Sequence, residues 1–415
     1  MTASFSTFEA ALEKAIADGV LPGAVVAARD KSGKISYLKS FGQRSLTPGA
    51  ESPMTVDTIF PLASMTKLIT SVCAAQLIDR GLVTPETEVS SHLPVLASLP
   101  ILQSLTPEGT ESSTPRSKPI LLRHLLTHSS GLAYPFLHPL LSSRADALTA
   151  AGNPPPVGPS VAERHSHPLV FEPGSSWTYG SGIDWAGHLV EVLTGQDLES
   201  YLQQHILTPL GLSDTPKVMT FWPEHFTPEQ EARKMQFTVR SPEHDNKVIP
   251  LEGPPPLYNL DPKRSIYGGE AGYASMTAYI EILYSLLMDD QKLLSSETAS
   301  LFFKPMLDPD AKKGLLENLK DPSWIVGHLP VTGEYDHSLG GVVVDGPAQT
   351  QERKTQRRKN GFLLWGGMFN LAWFIDREAG VTACFATSVV NPADPDIEKL
   401  FVALEETVYA EAGVV

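Results

Sequence analysis

The chain has 415 residues, 42% hydrophobic and 19% charged, which is ample for a large core built as one big or two interleaved domains. Its net charge of −15 is spread without an acidic block and disfavours nucleic acid as a partner, because phosphate binding needs a basic face. No run of about 18 apolar residues occurs, and Met1-Thr2-Ala3-Ser4-Phe5 lacks the basic start and apolar core of a secretion signal, so a soluble, cytoplasmic protein without a membrane span is expected.

The first element predicted is an amphipathic helix over 5–17, with Phe8, Leu12 and Ile16 on one face. A strand pair over 23–29 and 35–42 follows, turned at Lys31-Ser32-Gly33. The strand pattern then disappears. Helical periodicity takes over at 64–80, 121–126, 183–193, 198–205, 274–287 and 296–303. Loop-rich stretches separate these helices at 104–119, at 151–172 with Pro154-Pro155-Pro156, and at 241–262 with Pro254-Pro255-Pro256. Strand signals return at 339–344, 361–366, 370–376 and 381–387, the last two joined by the turn Arg377-Glu378-Ala379-Gly380. The basic run Arg353-Lys354-Thr355-Gln356-Arg357-Arg358-Lys359 reads as a solvated loop between strands. A helix over 396–412 closes the chain. Cys73 and Cys384 lie far apart in apolar segments and read as buried free thiols.

The simplest assembly pairs the first two strands with the last four in one antiparallel sheet, covered by the terminal helices. A helical insertion spans about 60–335, giving an α+β fold. The implied division is a discontinuous sheet domain of 1–60 plus 336–415 and a mainly helical domain of 61–335, with the active site in the cleft between them.

Ser64-Met65-Thr66-Lys67 stands where an extended apolar run turns into a helix. On a helix, i and i+3 share a face, so Lys67 can take the proton of Ser64 and make it a nucleophile. A second Ser-x-x-Lys, Ser36 to Lys39, falls on a strand, where i and i+3 point to opposite faces, and reads as surface. The competing structural reading of the first copy has Ser64 capping the helix and Lys67 reaching to water. Tyr179, in Trp177-Thr178-Tyr179-Gly180-Ser181, follows the turn Glu172-Pro173-Gly174 and can aim its phenol into a cleft as a proton shuttle. Trp365-Gly366-Gly367-Met368 ends an apolar strand. Its glycines allow close backbone approach, and a backbone N–H there can join that of Ser64 as an oxyanion hole, worth about 2.7–4 kcal/mol per donor. His124 and His128, at i and i+4, lack the third ligand a metal site needs and read as packing or capping residues. Neither Gly-x-Ser-x-Gly nor a phosphate-binding glycine loop occurs.

In this order, Ser64-x-x-Lys67, Tyr179-Gly180-Ser181 and Trp365-Gly366-Gly367 resemble the serine β-lactamase and penicillin-binding-protein superfamily, in its class C β-lactamase-like branch of esterases and transesterases. The segments Leu121-Leu122-Arg123-His124-Leu125-Leu126-Thr127-His128-Ser129-Ser130-Gly131-Leu132 and Gly268-Gly269-Glu270-Ala271-Gly272-Tyr273 are similar to that branch too, and the resemblance covers roughly residues 8 to 410. The stretches from Ala133 to Leu141 and Asp184-Trp185-Ala186-Gly187 resemble the fungal acyltransferases that attach a side chain to the statin polyketide.

The resemblance implies Ser64 as nucleophile and Lys67 with Tyr179 as general base and acid. It implies Tyr134 at the border of acyl and acceptor sites, and the Ser64 and Met368 amides as oxyanion donors. It implies no cofactor and no metal. Trp365, Gly366 and Gly367 would line the substrate site. Trp365 replaces the lysine of the family's Lys-Thr-Gly and Ser181 replaces the asparagine of its Tyr-x-Asn, which turns the expectation from lactams toward a bulky, apolar ester or thioester of polyketide or statin-like form. A carboxylesterase, a dedicated transesterase with an acyl-carrier partner as donor, and a catalytically silent binding protein remain open at this point.

Overall fold

A computed structural model describes residues 4–106, 109–154, 158–213, 218–255, 263–321, 329, 334–346 and 358–414. Its centre is an eight-stranded antiparallel sheet. The strands are β1 (Gly23–Asp30), β2 (Ser36–Ser45), β3 (Ser52–Pro53), β4 (Tyr335–His337), β5 (Val342–Val344), β6 (Leu363–Gly367), β7 (Leu371–Asp376) and β8 (Val381–Ala386), in the order β4-β5-β6-β7-β8-β1-β2-β3. The two ends of the chain meet in its middle, where β1 pairs with β8 from Val25↔Ala386 to Asp30↔Val381. The expected union of two early and four late strands is therefore present. Two short edge strands, β3 and β4, extend it.

Every residue of β7 and β8 is buried, so helices cover both faces. Successive residues of a strand point to opposite sides. Phe385 meets Phe401 of the C-terminal helix α5 (Pro395–Ala412) at 5.1 Å between ring centroids, and α5 packs on α1 (Phe5–Ala17). On the other face the neighbouring Cys384 lies by Tyr279 of α4 (Met276–Met288), whose hydroxyl donates to the Met65 carbonyl at 2.8 Å. That bond ties the sheet's covering helix to the segment that carries Ser64. Cys73 and Cys384 are buried free thiols, pushed up to about 12 chiefly by burial.

The helices α2 (Thr66–Asp79) and α3 (Gly182–Thr194) pack against each other and bring the site together. Residues Thr66 to Leu77 of α2 are buried all round, as expected of a helix inside a core rather than on a surface. The strand pattern does not vanish between the ends of the chain. Ile59–Pro61, Tyr273–Ser275 and Met219–Thr220 form a small sheet, so the helix expected from residue 274 begins only at Met276. The stretches read as loops near 104–119 and 241–262 hold antiparallel pairs, Ile101–Leu105 with Glu111–Thr114 and Thr238–Ser241 with Lys247–Pro250. The helices Pro139–Ala150 and Pro309–Asn318 were not anticipated. Pro155, Pro156, residues 256–262 and residues 353–357 of the basic run lie outside the described residues. Arg358 is not solvated as that run suggested. It is buried and forms a double hydrogen bond with Glu405 of α5 at 3.0 and 2.8 Å. Among the described residues no helix is long and apolar enough to cross a membrane.

Candidate active site

Ser64 is positioned by a sharp reversal. Strand Ile59–Pro61 pairs with Tyr273–Ser275, and the Leu62 amide donates to Gly272 O at 2.8 Å. The chain then turns at Ala63, which has φ 45°, an uncommon conformation for a residue with a side chain. A 3₁₀ turn, Ala63–Met65, leads into α2. Ser64 does not cap the helix, because the N-cap position is Met65 and no side chain caps it. Instead its Oγ accepts from Tyr179 Oη at 2.5 Å and from Lys67 Nζ at 3.2 Å.

Lys67 is 2% exposed, which disposes of the reading that it reaches to water. Besides Ser64, its Nζ donates to Tyr134 Oη at 3.3 Å and to Gly269 O at 2.8 Å. It also stands 4.7 Å from the Tyr179 ring centroid and 5.3 Å from that of Tyr134, within cation–π range. The two tyrosines are held side by side by their backbones, Tyr134 N–H donating to Tyr179 O at 3.2 Å. The other Ser-x-x-Lys behaves as its strand setting requires. Ser36 and Lys39 are exposed on β2, and Lys39 pairs with Glu9 at 2.7 Å.

Tyr134 is 5% exposed and donates its phenol proton to Asp184 Oδ2 at 3.0 Å. Burial, then the Asp184 carboxylate, holds this phenol well above the usual tyrosine range, so it stays neutral. Its hydroxyl thus faces Lys67 and Asp184, and its ring stacks on the exposed Phe136 at 5.4 Å between centroids.

Trp365 is 4% exposed, within 5.5 Å of the Tyr179 ring, 6.1 Å of His128 and 5.7 Å of His337. His128 lies past the end of the helix Leu122–Leu126, at φ 58°, so His124 and His128 do not share a helical face. His124 Nδ1 accepts from the Leu121 amide at 3.2 Å, and His128 Nδ1 from Gly180 N–H at 3.4 Å. Burial, then the neighbouring His337, pushes His128 well below its ordinary value, and burial pushes His337 down to about 4. Both rings are therefore neutral at neutral pH, and they back Tyr179 and Trp365 without adding charge.

Gly366 and Gly367 end β6 beside the turn that carries Ser64. A Cβ built on Gly367 would stand 2.4 Å from Leu62 O, so only glycine lets the strand end approach the turn two residues before Ser64. Met368 follows, partly exposed like Ser64. The Ser64 amide belongs to the first helical residues, which have no intrahelical acceptor.

The structure brings Ser64, Lys67, Tyr179, Tyr134 and Trp365 into one cluster and sets the Gly366-Gly367-Met368 edge against the turn before Ser64. Sequence reasoning did not single out Asp184, Gly269, His128 or His337 as parts of it. Asp184 entered the sequence reading only through the resemblance of Asp184-Trp185-Ala186-Gly187, with no role attached. A cavity of about 560 Å³ lies beside the strand Ile59–Pro61 that leads to the turn; Phe226, Met235, Phe237 and Tyr273 line it together with the polar side chains of Glu224, Glu231, Lys234, Gln236 and Arg264, and Ser64, Lys67 and Tyr179 do not. Tyr273 pairs with Pro61, and the Phe237 ring lies 4.8 Å from that of Phe369, next to Met368.

The β-lactamase family model matches residues 8–407. Monacolin J acid methylbutanoyltransferase of Aspergillus terreus is 35% identical over 409 residues, 97% of this chain and 95% of the relative. Lovastatin esterase of Penicillium rubens is 34% identical over 398 residues, 94% of each. Among solved structures, a mutant of simvastatin synthase from Aspergillus terreus superposes with a TM-score of 0.86 at 35% identity, covering 98% of this chain and 94% of that one. The chain belongs to the β-lactamase family, and it is an enzyme of that family's serine hydrolase and acyltransferase kind.

Proposed function

We propose that the protein transfers acyl groups through an acyl-Ser64 intermediate, acting on the ester of a bulky, apolar, statin-like alcohol. The observation that carries this reading is the double engagement of Ser64 Oγ, by Tyr179 Oη at 2.5 Å and Lys67 Nζ at 3.2 Å. Lys67, with Tyr179, accepts the Ser64 proton as Oγ attacks the acyl carbonyl. The oxyanion forms against the Ser64 and Met368 amides. The C–O bond to the alcohol breaks, the leaving oxygen takes a proton from Tyr179, and Lys67 returns the Ser64 proton to the phenol. Water or an acceptor alcohol then attacks the acyl-serine by the reverse route. Two units, 1–60 with 336–415 and 61–335, supply the two sides of the cleft in this reading. Trp365 in place of a lysine leaves no cation at that position for a lactam carboxylate, which favours esters. The 560 Å³ cavity beside the strand Ile59–Pro61 is large enough for a fused ring system.

The relatives act in both directions, as a methylbutanoyltransferase of monacolin J acid and as a lovastatin esterase. Hydrolysis is the first reading, since Ser64 and Tyr179 are partly exposed to water. The alternative is a dedicated transesterase drawing its acyl group from a thioester, with an acyl-carrier protein as a natural donor. The reading places the enzyme in the cytoplasm with a small-molecule substrate. Incubating it with lovastatin in water, and separately with the free alcohol and an acyl thioester, tells cutting from making the ester by the product that accumulates. A fluorophosphonate adduct seen by intact mass on the wild type and lost in Ser64→Ala is expected. An adduct or p-nitrophenyl ester turnover that survives this substitution refutes the mechanism.

A further inference from the structure

We propose that Asp184 is the positioning residue that points Lys67 at Ser64; the inference rests on Lys67 being the group that activates Ser64. Asp184 sits in the first turn of α3 and is fully buried. Its Oδ1 accepts the Gly269 amide at 2.8 Å, and its Oδ2 accepts the Tyr134 phenol at 3.0 Å. His165 Nε2 stands 4.0 Å from the same Oδ2. These bonded partners, Gly269 and Tyr134, are the two residues besides Ser64 that accept from Lys67. One carboxylate thus holds both of the other groups that hold the amine.

An amine nitrogen has three directions besides its bond to carbon, filled by three protons when charged and by two protons and a lone pair when neutral. Tyr134 Oη has one proton, and that proton is committed to Asp184, so toward Lys67 it offers only lone pairs. Gly269 O likewise only accepts. For Lys67 to act as the base, both of its N–H bonds are therefore drawn to Tyr134 and Gly269, and the lone pair is left for Ser64 Oγ. Without the carboxylate, the Tyr134 proton is free to turn to the lone pair and compete with Ser64. Gly269 is fitted to this contact, since a Cβ there would lie 2.5 Å from Asp184 Oδ2.

The test is a double-mutant cycle on acylation, read as single-turnover release of p-nitrophenolate. In Asp184→Asn the amide still accepts from Gly269 but donates to Tyr134 Oη, which turns the phenol proton toward Lys67. Tyr134→Phe removes the hydroxyl and leaves its ring. Each is expected to slow acylation at least about 10-fold, as loss of part of an acid–base assembly does, with the half-saturating ester concentration within about 2-fold of wild type. The double variant is expected to be no slower than about the slower single one, because the two residues act through one atom.

Acylation by Asp184→Asn within about 3-fold of wild type overturns the proposal, and so do losses that multiply in the double variant, which is what independent structural damage gives. If Asp184→Asn does not fold, Tyr134→Phe decides alone, and a wild-type rate there overturns the proposal. Ser64→Ala, run alongside, separates this failure from failure of the acyl-serine reading itself.

Discussion

Removing the Tyr179 hydroxyl probes the mechanism with the least disturbance to the fold. In Tyr179→Phe the ring keeps its neighbours, with centroids at 4.8 Å to His128, 5.4 Å to Tyr134 and 5.5 Å to Trp365. The hydrogen bond to Ser64 Oγ is lost, and one such bond is worth about 1 kcal/mol of stability. The rate should respond far more. Loss of a positioned acid–base group costs about 10²- to 10⁴-fold, or about 2.7–5.4 kcal/mol in the barrier. In the proposed mechanism both acylation and deacylation use the phenol, so both should slow, and Lys67→Ala should cost at least about 10²-fold by the same reasoning. Combining the two should cost much less than the product of the single losses, because both serve one proton transfer. Stopped-flow acylation by a p-nitrophenyl ester, beside thermal unfolding of each variant, provides the readout. An acylation rate within about 3-fold of wild type in a folded Tyr179→Phe protein would refute the shuttle.

Gly367→Ala forces a Cβ toward Leu62 O, a backbone atom that cannot rotate away. The expected cost is about 1–3 kcal/mol of stability with a loss in kcat/KM larger than that stability loss explains, and unchanged kcat/KM would show that the turn before Ser64 tolerates displacement. Glu405→Leu leaves the buried Arg358 without its carboxylate and should lower the urea unfolding free energy by about 3–5 kcal/mol; less than 1 would mean that the pair contributes little. His337 is buried and pushed from 6.5 down to about 4, so its contribution is present above pH 6.5 and is lost as pH falls toward 4. Against wild type, His337→Gln should therefore remove about 1.4 kcal/mol of destabilisation per pH unit across that window, and parallel stability curves would contradict the assignment. Phe237→Ala should raise KM for a fused-ring ester more than for p-nitrophenyl acetate, and equal effects would exclude the cavity beside Ile59–Pro61 as the place of the bulky group.

The sheet was legible in the sequence where strands are long and either alternate or run apolar. β1, β7 and β8 appear within one residue of their expected ends, because burial on both faces makes most of their length a near-continuous apolar run. Strands of two or three residues were not legible. Ala274-Ser275 reads as the start of a helix, and the extended form of Tyr273–Ser275 is imposed by pairing with Pro61 and Thr220, more than 50 residues away in either case. The same limit divides the site. Ser64 and Lys67 are one helical turn apart and declare themselves. Tyr179, with its loop setting, was found by looking for a partner. Asp184 bonds to residues 50 and 85 positions away, and nothing local distinguishes it from a solvated acid at a helix start. Arg358 was misread for that reason, since its partner Glu405 lies 47 residues on.

The site also explains why its seams fall at glycines. Ser64, Tyr179 and Trp365 come from three segments that must approach closer than side chains allow. At Gly367 the strand end meets the backbone of Leu62, and at Gly180 a Cβ would fall 1.7 Å from Leu132 O. The second contact sets Tyr179 beside Tyr134, and the first sets the Met368 amide near the turn of Ser64. Neither contact buries a large apolar surface, so their replacement acts on the geometry of the three segments before it acts on the core. A shift of about 1 Å in such a constellation is enough to cost about 10²-fold in rate. In the proposed mechanism the rate therefore depends on backbone spacing at Gly367 and Gly180 as much as on Ser64, Lys67 and Tyr179.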